Sequence, residues 1–270
     1  MITRKIILPL IINTTTLLTM HVAHATTVSG LVAHFSLDGN ANDSSSNGLN
    51  GTVLGATPTT DRFGAANSAF QFASGQSISF PSLPALGGAH TAFTVSLWFQ
   101  ADGLGPVFND YVGTQSGGDN IYAMEFQIDN NPANSTAPNY IAVDSRNFPS
   151  HPLDYSLYAS NTAIVGTGWH ALAYEMDGVS TCVTFLDGVQ VGSKPYDASL
   201  SYSENPQWQA GHNFFAGTDQ YFNGKIDDIQ IYNRALSQSE IQQVQAPEPT
   251  VLTLACMGAF VTFASRRRRY

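Results

Sequence analysis

Apolar residues in this chain recur at every second position in one run after another, and that habit restricts the fold more than any other feature of the sequence. In Phe93-Thr94-Val95-Ser96-Leu97-Trp98-Phe99, the side chains of Phe93, Val95, Leu97 and Phe99 fall on one face, as in a half-buried strand. Leu31, Ala33, Phe35 and Leu37 repeat the pattern earlier. Clusters of Gly, Asn, Ser, Asp and Pro separate such runs and read as turns. Residues 181–186, the pair Asp187-Gly188 and residues 189–191 form a predicted hairpin, because Asp-Gly accepts the positive φ of a type I′ turn. The expectation is an all-β protein.

One short helix interrupts this plan. Ser237-x-x-Glu240 makes a capping box, Leu236 can staple onto Ile241, and a helix is predicted over residues 238–245. Pro247 and Pro249 neither continue a helix nor join a sheet. From 130 to 163 the alternation weakens and Asn, Pro, Ser and Tyr dominate, which predicts a long irregular segment, either functional or mobile.

Both termini carry transport signals. Arg4 and Lys5 precede an apolar core over 6–18, and Ala23-His24-Ala25 fits an A-x-A cleavage site, so residues 1–25 read as a signal peptide. At the other end Pro247-Glu248-Pro249 leads into an apolar run over 250–265 and then Arg266, Arg267, Arg268 and Arg269. The run is marginal against the roughly 17–25 residues of a crossing helix, and the arginines favour the cytoplasmic side. Together the three parts resemble the PEP-CTERM sorting signal of Gram-negative, exopolysaccharide-producing bacteria. The resemblance implies an exosortase-type sorting enzyme as partner, transient inner-membrane insertion of residues 247–270, and delivery to the cell surface or extracellular polymeric matrix. Residues 26–246 remain as one domain, long enough for a sizeable core.

Charge narrows the partners. Six of the eleven Lys+Arg but only one of the twenty Asp+Glu lie in the transport segments, so residues 26–246 hold five cations against nineteen anions, a net charge of −14. Such a surface repels phosphate backbones and excludes nucleic acid as a partner. Cys182 is the one cysteine outside the apolar tail and sits in a strand-like run, where it reads as a small buried apolar residue.

Several segments in order are similar to the LamG-like jelly-roll family of the concanavalin A-like lectin and glucanase fold. They are residues 31–48 with their Asp-Gly-Asn…Asp-Ser-Ser loop, Asp61-Arg62-Phe63-Gly64 with Ala69-Phe70-x-Phe72, residues 93–99, Gly168-Trp169-His170 with Phe185-Leu186-Asp187-Gly188, and residues 224–241 around Ile226-Asp227-Asp228-Ile229. The resemblance implies a jelly-roll β-sandwich in which the first-strand loop meets the closing strand around a cation. Asp38, Asn40 and Asp43 would then join Asp227 and Asp228 as ligands of a structural calcium ion, with oxygen donors of the kind calcium takes. Strict alternation allows only one of Asp227 and Asp228 to face such a site and puts Asp227 on the face of Ile229 and Ile231, where a buried carboxylate needs a partner. The other reading of residues 38–48 is a solvated turn whose Asx side chains bond their own backbone.

Catalysis has little to rest on. Glu125 and Asp129 stand four residues apart on a predicted strand, about 13 Å at the backbone and beyond the ~5–9.5 Å of glycosidase carboxyl pairs. No G-x-S-x-G or H-x-x-x-H pattern occurs in residues 26–246, and His170 beside Trp169 reads as a packed histidine. Tyr140, Phe148, Tyr155, Tyr158, Trp208, Phe214, Phe215 and Tyr221 could stack on sugars, against the alternative of packing in the core and on loop edges. The expected function is adhesion or matrix association through a carbohydrate or glycoconjugate ligand, without catalysis. A polysaccharide-active enzyme and a ligand-free structural matrix protein are the alternatives.

Overall fold

A computed structural model of the chain describes residues 28–83, 91–114, 120–130, 139–146, 158–195, 207–215 and 218–246. The signal-peptide and sorting-segment expectations for 1–25 and 247–270 lie outside the described residues. No described helix is long and apolar enough to cross a membrane.

The predicted alternation builds two antiparallel sheets. The first contains β1 (Leu31–Phe35), β3 (Thr57–Thr59), β4 (Ala69–Phe72), β6 (Phe93–Ala101), β11 (Trp169–Met176), β12 (Thr181–Leu186), β13 (Val189–Pro195) and β17 (Gly224–Tyr232). Its order is β13-β12-β11-β6-β17-β4-β3, with β1 also paired to β17. The second contains β2 (Thr52–Leu54), β5 (Ser77–Phe80), β7 (Gly105–Thr114), β8 (Asn120–Asp129), β9 (Tyr140–Arg146), β10 (Tyr158–Ala163) and β14 (Gln207–Ala210), in the order β10-β9-β8-β7-β14-β5-β2. A separate hairpin joins β15 (His212–Phe215) to β16 (Thr218–Tyr221).

The inward residues of both sheets form one core. Val95, Leu97 and Phe99 of β6, Ile226, Ile229 and Ile231 of β17, and Met124, Phe126 and Ile128 of β8 all belong to it. Aromatic contacts bridge the layers: Phe35 and Phe80 have ring centroids 4.2 Å apart, and Phe93 meets Trp208 edge-on at 6.3 Å. Each such ring contributes on the order of 1.5–3 kcal/mol by leaving water. Cys182 lies in this core, and burial pushes its thiol up to about 11.

Helix α1 (Gln238–Val244) packs on the outer face of the first sheet. Leu236 and Ile241 cluster there with Ala173, Phe185 and Tyr232. Both halves of the predicted capping box form, and Gln245 ends the helix as its C-cap rather than as its last turn. Arg234 grips Glu240 through Nη1 at 3.0 Å and Nη2 at 2.5 Å. The Asp187-Gly188 hairpin also forms, with φ of 52° and 73° at its two central residues.

The segment 130–163 departs from expectation. It contributes β9, paired to β8 through registers such as Phe126↔Val143, and β10, paired to β9 at the edge of the second sheet. Partner strands supply the order that polar residues such as Ser145 and Asn161 do not signal locally.

Candidate functional site

The first and last strands meet where β17 exchanges one neighbour for another. On one edge, Gly224, Lys225 and Ile226 pair with β4, while Ile229 to Tyr232 pair with β1. The opposite edge pairs with β6, and its register slips between Asp227 and Gln230. Asp228 has φ of 50°, a left-handed backbone that aspartate tolerates better than most side chains. The result is a β-bulge, which resets the strand's alternation.

This bulge corrects the expected facing of the acidic pair. Ile226, Ile229 and Ile231 all reach the core, and Asp227 lies opposite Trp98 on the outer side of the sheet. The two aspartates therefore do not oppose each other across the strand. Both are held by one guanidinium.

That guanidinium belongs to Arg62, in a tight turn between β3 and β4. Asp61 Oδ1 shapes the turn by accepting the amides of Phe63 at 2.8 Å and Ala65 at 2.7 Å. Arg62 Nη1 donates to Asp227 Oδ2 and Nη2 to Asp228 Oδ2, each at 2.6 Å. Its Cζ lies 4.6 Å from the Phe63 ring centroid and 4.7 Å from that of Trp98, within cation–π range. The side chain is 9% exposed, and its Nε has no partner. On the other side His34 of β1 places Nε2 3.2 Å from Asp228 Oδ1.

One guanidinium serving two carboxylates favours one negative charge over two. Burial, reinforced by Asp228, pushes the Asp227 carboxyl up to about 8 against the pull of Arg62. Burial also opposes ionisation of Asp228, yet hydrogen bonds from His34 and Arg62 outweigh it and hold that group below its usual range.

Four of the five expected calcium ligands are engaged by protein groups. Asp43 accepts the amides of His34, Ser45 and Leu49 at 3.1, 2.8 and 3.1 Å. Burial resists, but these bonds hold its carboxyl below the ordinary value. Asn40 is spent locally, donating to the Asp38 carbonyl and accepting the Asn42 amide, while Asp38 is exposed. Asp227 and Asp228 already have their cation in Arg62. The described residues contain no group of three or more His, Cys, Asp or Glu that could hold a metal, and Asn40 and Asp43 bond nearby backbone as the turn reading expects. The loop and β17 are nonetheless linked, since the His34 amide binds Asp43 and its ring binds Asp228.

The other candidates separate. Glu125 is 2% exposed and accepts from Asn213 Nδ2 of β15 at 2.5 Å. Asp129 accepts the Tyr140 hydroxyl at 3.0 Å. Tyr140 and Trp208 are buried, and Tyr221 packs on His212 with ring centroids 4.9 Å apart. Phe148 and Tyr155 lie outside the described residues, and of Tyr158, Phe214 and Phe215 only the strand positions are described. His170 is packed between Thr167 and Asp187, at 2.8 and 2.9 Å.

Arg62 is the residue that sequence reasoning left without a role. It is one of five cations among nineteen anions in residues 26–246 and stands within the Asp-Arg-Phe-Gly segment. The bulge also had a signal. Ile226 and Ile229, three apart, cannot share one face of a regular strand.

Two antiparallel sheets packed over one core, closed by pairing of the first and last long strands, define a jelly-roll sandwich. The sequence model of the Concanavalin A-like lectin/glucanases superfamily matches residues 72–242, and the chain belongs to that superfamily. Among solved structures, it is similar to domain 4 of AbnA, an extracellular arabinanase from Geobacillus stearothermophilus in complex with arabinotriose, at a TM-score of 0.57 and 19% identity over 80% of this chain and 98% of that one. It is also similar to the botulinum neurotoxin serotype D ligand-binding domain in complex with N-acetylneuraminic acid, at 0.56 and 14% identity, covering 80% of this chain and 50% of that one. The binding domain of Paraclostridial Mosquitocidal Protein 1 gives 0.57 and 14%, covering 80% and 51%. No curated protein matches the chain in sequence.

Removing Arg62 takes the guanidinium from buried Asp227 and leaves half-buried Asp228 with His34 alone. Arg62→Ala is expected to lose on the order of 3 kcal/mol in denaturant unfolding, and Arg62→Lys to recover little of it, because an ammonium offers neither the fork nor the planar stack. Equal stability of Arg62→Lys and wild type would contradict the clamp.

The raised Asp227 carboxyl also sets a pH dependence. Its stabilising contribution is complete below its ordinary value of 3.8 and is lost as pH rises through about 8. Asp227→Asn stays neutral, so its melting temperature should gain on wild type between about pH 4 and about pH 8. A difference that does not change with pH would rule this out.

Proposed function

We propose that the chain is an exported, non-catalytic carbohydrate-binding protein of the cell surface or extracellular matrix. The observation that carries the reading is superfamily membership, together with likeness to binding domains whose structures are complexes with arabinotriose and N-acetylneuraminic acid. Fold likeness alone would not assign a ligand. Two features of this chain favour binding over hydrolysis. Glu125 is sealed from solvent and bonded by Asn213, and Asp129 is engaged by Tyr140.

Arg62 supplies the positive charge that the acidic pair requires, so the proposed binding needs no calcium. On a glycan array the full chain should bind neutral glycans equally in calcium and in a chelator, and should release no reducing sugar from polysaccharides. No signal on any glycan would refute the binding reading, and released reducing sugar would refute its non-catalytic part.

Export and sorting form the second half of the proposal. Pro247, Glu248, Pro249 and Arg266 to Arg269 flank an apolar run whose physics suits a transient membrane stop. Deleting residues 247–270 is expected to change where the protein is found and how it is processed in an exosortase-bearing host. Unchanged location and processing would dismiss the sorting role.

A further inference from the structure

The outer face of the first sheet carries a pocket that neither the core nor the Arg62 clamp accounts for. Trp98 of β6, Ala171 of β11, the Asp187-Gly188 turn, Gln242 of α1 and the C-cap Gln245 line a volume of about 160 Å³. Drug-sized ligands occupy roughly 300–1,000 Å³. This space suits one small ring.

Its walls are fixed before any ligand arrives. Asp187 Oδ1 accepts the Ala171 amide and Oδ2 pairs with His170 Nδ1, both at 2.9 Å. Gln238 and Gln242 donate from Nε2 to the Gly188 carbonyl at 3.1 and 3.0 Å, tying the hairpin turn to the helix. Gly188 has φ of +73°, and a Cβ there would stand 3.0 Å from Gln242 Cγ. Glycine therefore keeps both the turn and the opening.

One wall is chemically unfinished. Gln245 is 6% exposed, its Nε2 donates to Ser96 Oγ at 3.2 Å, and its Oε1 has no partner. Turning the carboxamide over would only exchange the end that Ser96 takes, since a hydroxyl both donates and accepts. Either way a buried polar end is left for the pocket, a situation that native interiors rarely tolerate.

We infer that this pocket is a saccharide subsite for an uncharged sugar ring, an assignment that rests on the carbohydrate-binding reading above. The Trp98 indole offers a flat apolar surface to the C–H face of a sugar. Asp187, with its side chain 50% exposed, and Gln245 offer acceptors to ring hydroxyls. No Lys or Arg is among the lining residues, and residues 26–246 carry a net charge of −14, so acidic sugars are disfavoured. Asp187 is the titratable group among the lining residues, and behind it the ring nitrogens of His170 are taken by Asp187 and Thr167.

The test titrates the full chain with arabinotriose, cellotriose and N-acetylneuraminic acid, read by calorimetry and tryptophan fluorescence. Gln245→Leu removes the unpaired group, and Ala171→Leu fills the space from its floor. Melting temperatures close to wild type show that a variant is folded. At least one neutral trisaccharide should bind wild type and perturb indole emission, weaken about tenfold or more in each folded variant, as loss of a charged or buried hydrogen bond does, and outcompete N-acetylneuraminic acid. Unchanged affinity in both variants would overturn the subsite and leave carbohydrate binding standing at another place. Failure of both neutral trisaccharides, with other glycans bound on the array, or preference for N-acetylneuraminic acid, would also overturn the subsite. A blank array would remove the subsite and the binding reading together.

Discussion

A single guanidinium, lying over the rings of Phe63 and Trp98, answers two carboxylates at the point where the closing strand changes neighbours. The geometry is demanding because β17 has β6 along one edge and is shared between β4 and β1 on the other. A regular strand would send Asp227 and Asp228 to opposite faces. The bulge brings both within reach of Arg62 and lets Ile226, Ile229 and Ile231 all enter the core. Burying such a group of charges is costly unless every member is paired, so the arrangement specifies register more than it adds stability. His34 extends it to β1 and, through its amide, to the Asp43 turn.

Features encoded locally were legible in the sequence. Strand β6, the Asp187-Gly188 turn and the Ser237–Glu240 capping box each depend on a few neighbouring residues, and each forms as read. Strands β9 and β10 were not legible, because the order of β9 comes from β8 and that of β10 from β9, not from their own alternation. That a buried carboxylate of the acidic pair needs a partner is legible in the sequence; that Arg62 serves as one is not. Arg62 lies 165 residues from Asp227, and no local pattern joins them. Gln245 was read as a helix residue, and its unpaired end has meaning only beside Ser96 and the distant hairpin turn.

Trp98 links the two halves of this account. Its indole meets Arg62 and also lines the pocket beneath α1. The clamp thus holds the aromatic surface on which the proposed sugar would rest, and structural and binding chemistry share one residue.

The central claim is that Arg62 and Asp228 act as a coupled unit at the strand junction. A double-mutant cycle of Arg62→Ala and Asp228→Asn, followed by denaturant unfolding, measures that coupling directly. The account predicts an interaction energy of about 2 kcal/mol or more, near the upper part of the ~0.5–3 kcal/mol seen for contacting residues. Additive losses, within about 0.5 kcal/mol of the sum of the single variants, would contradict it.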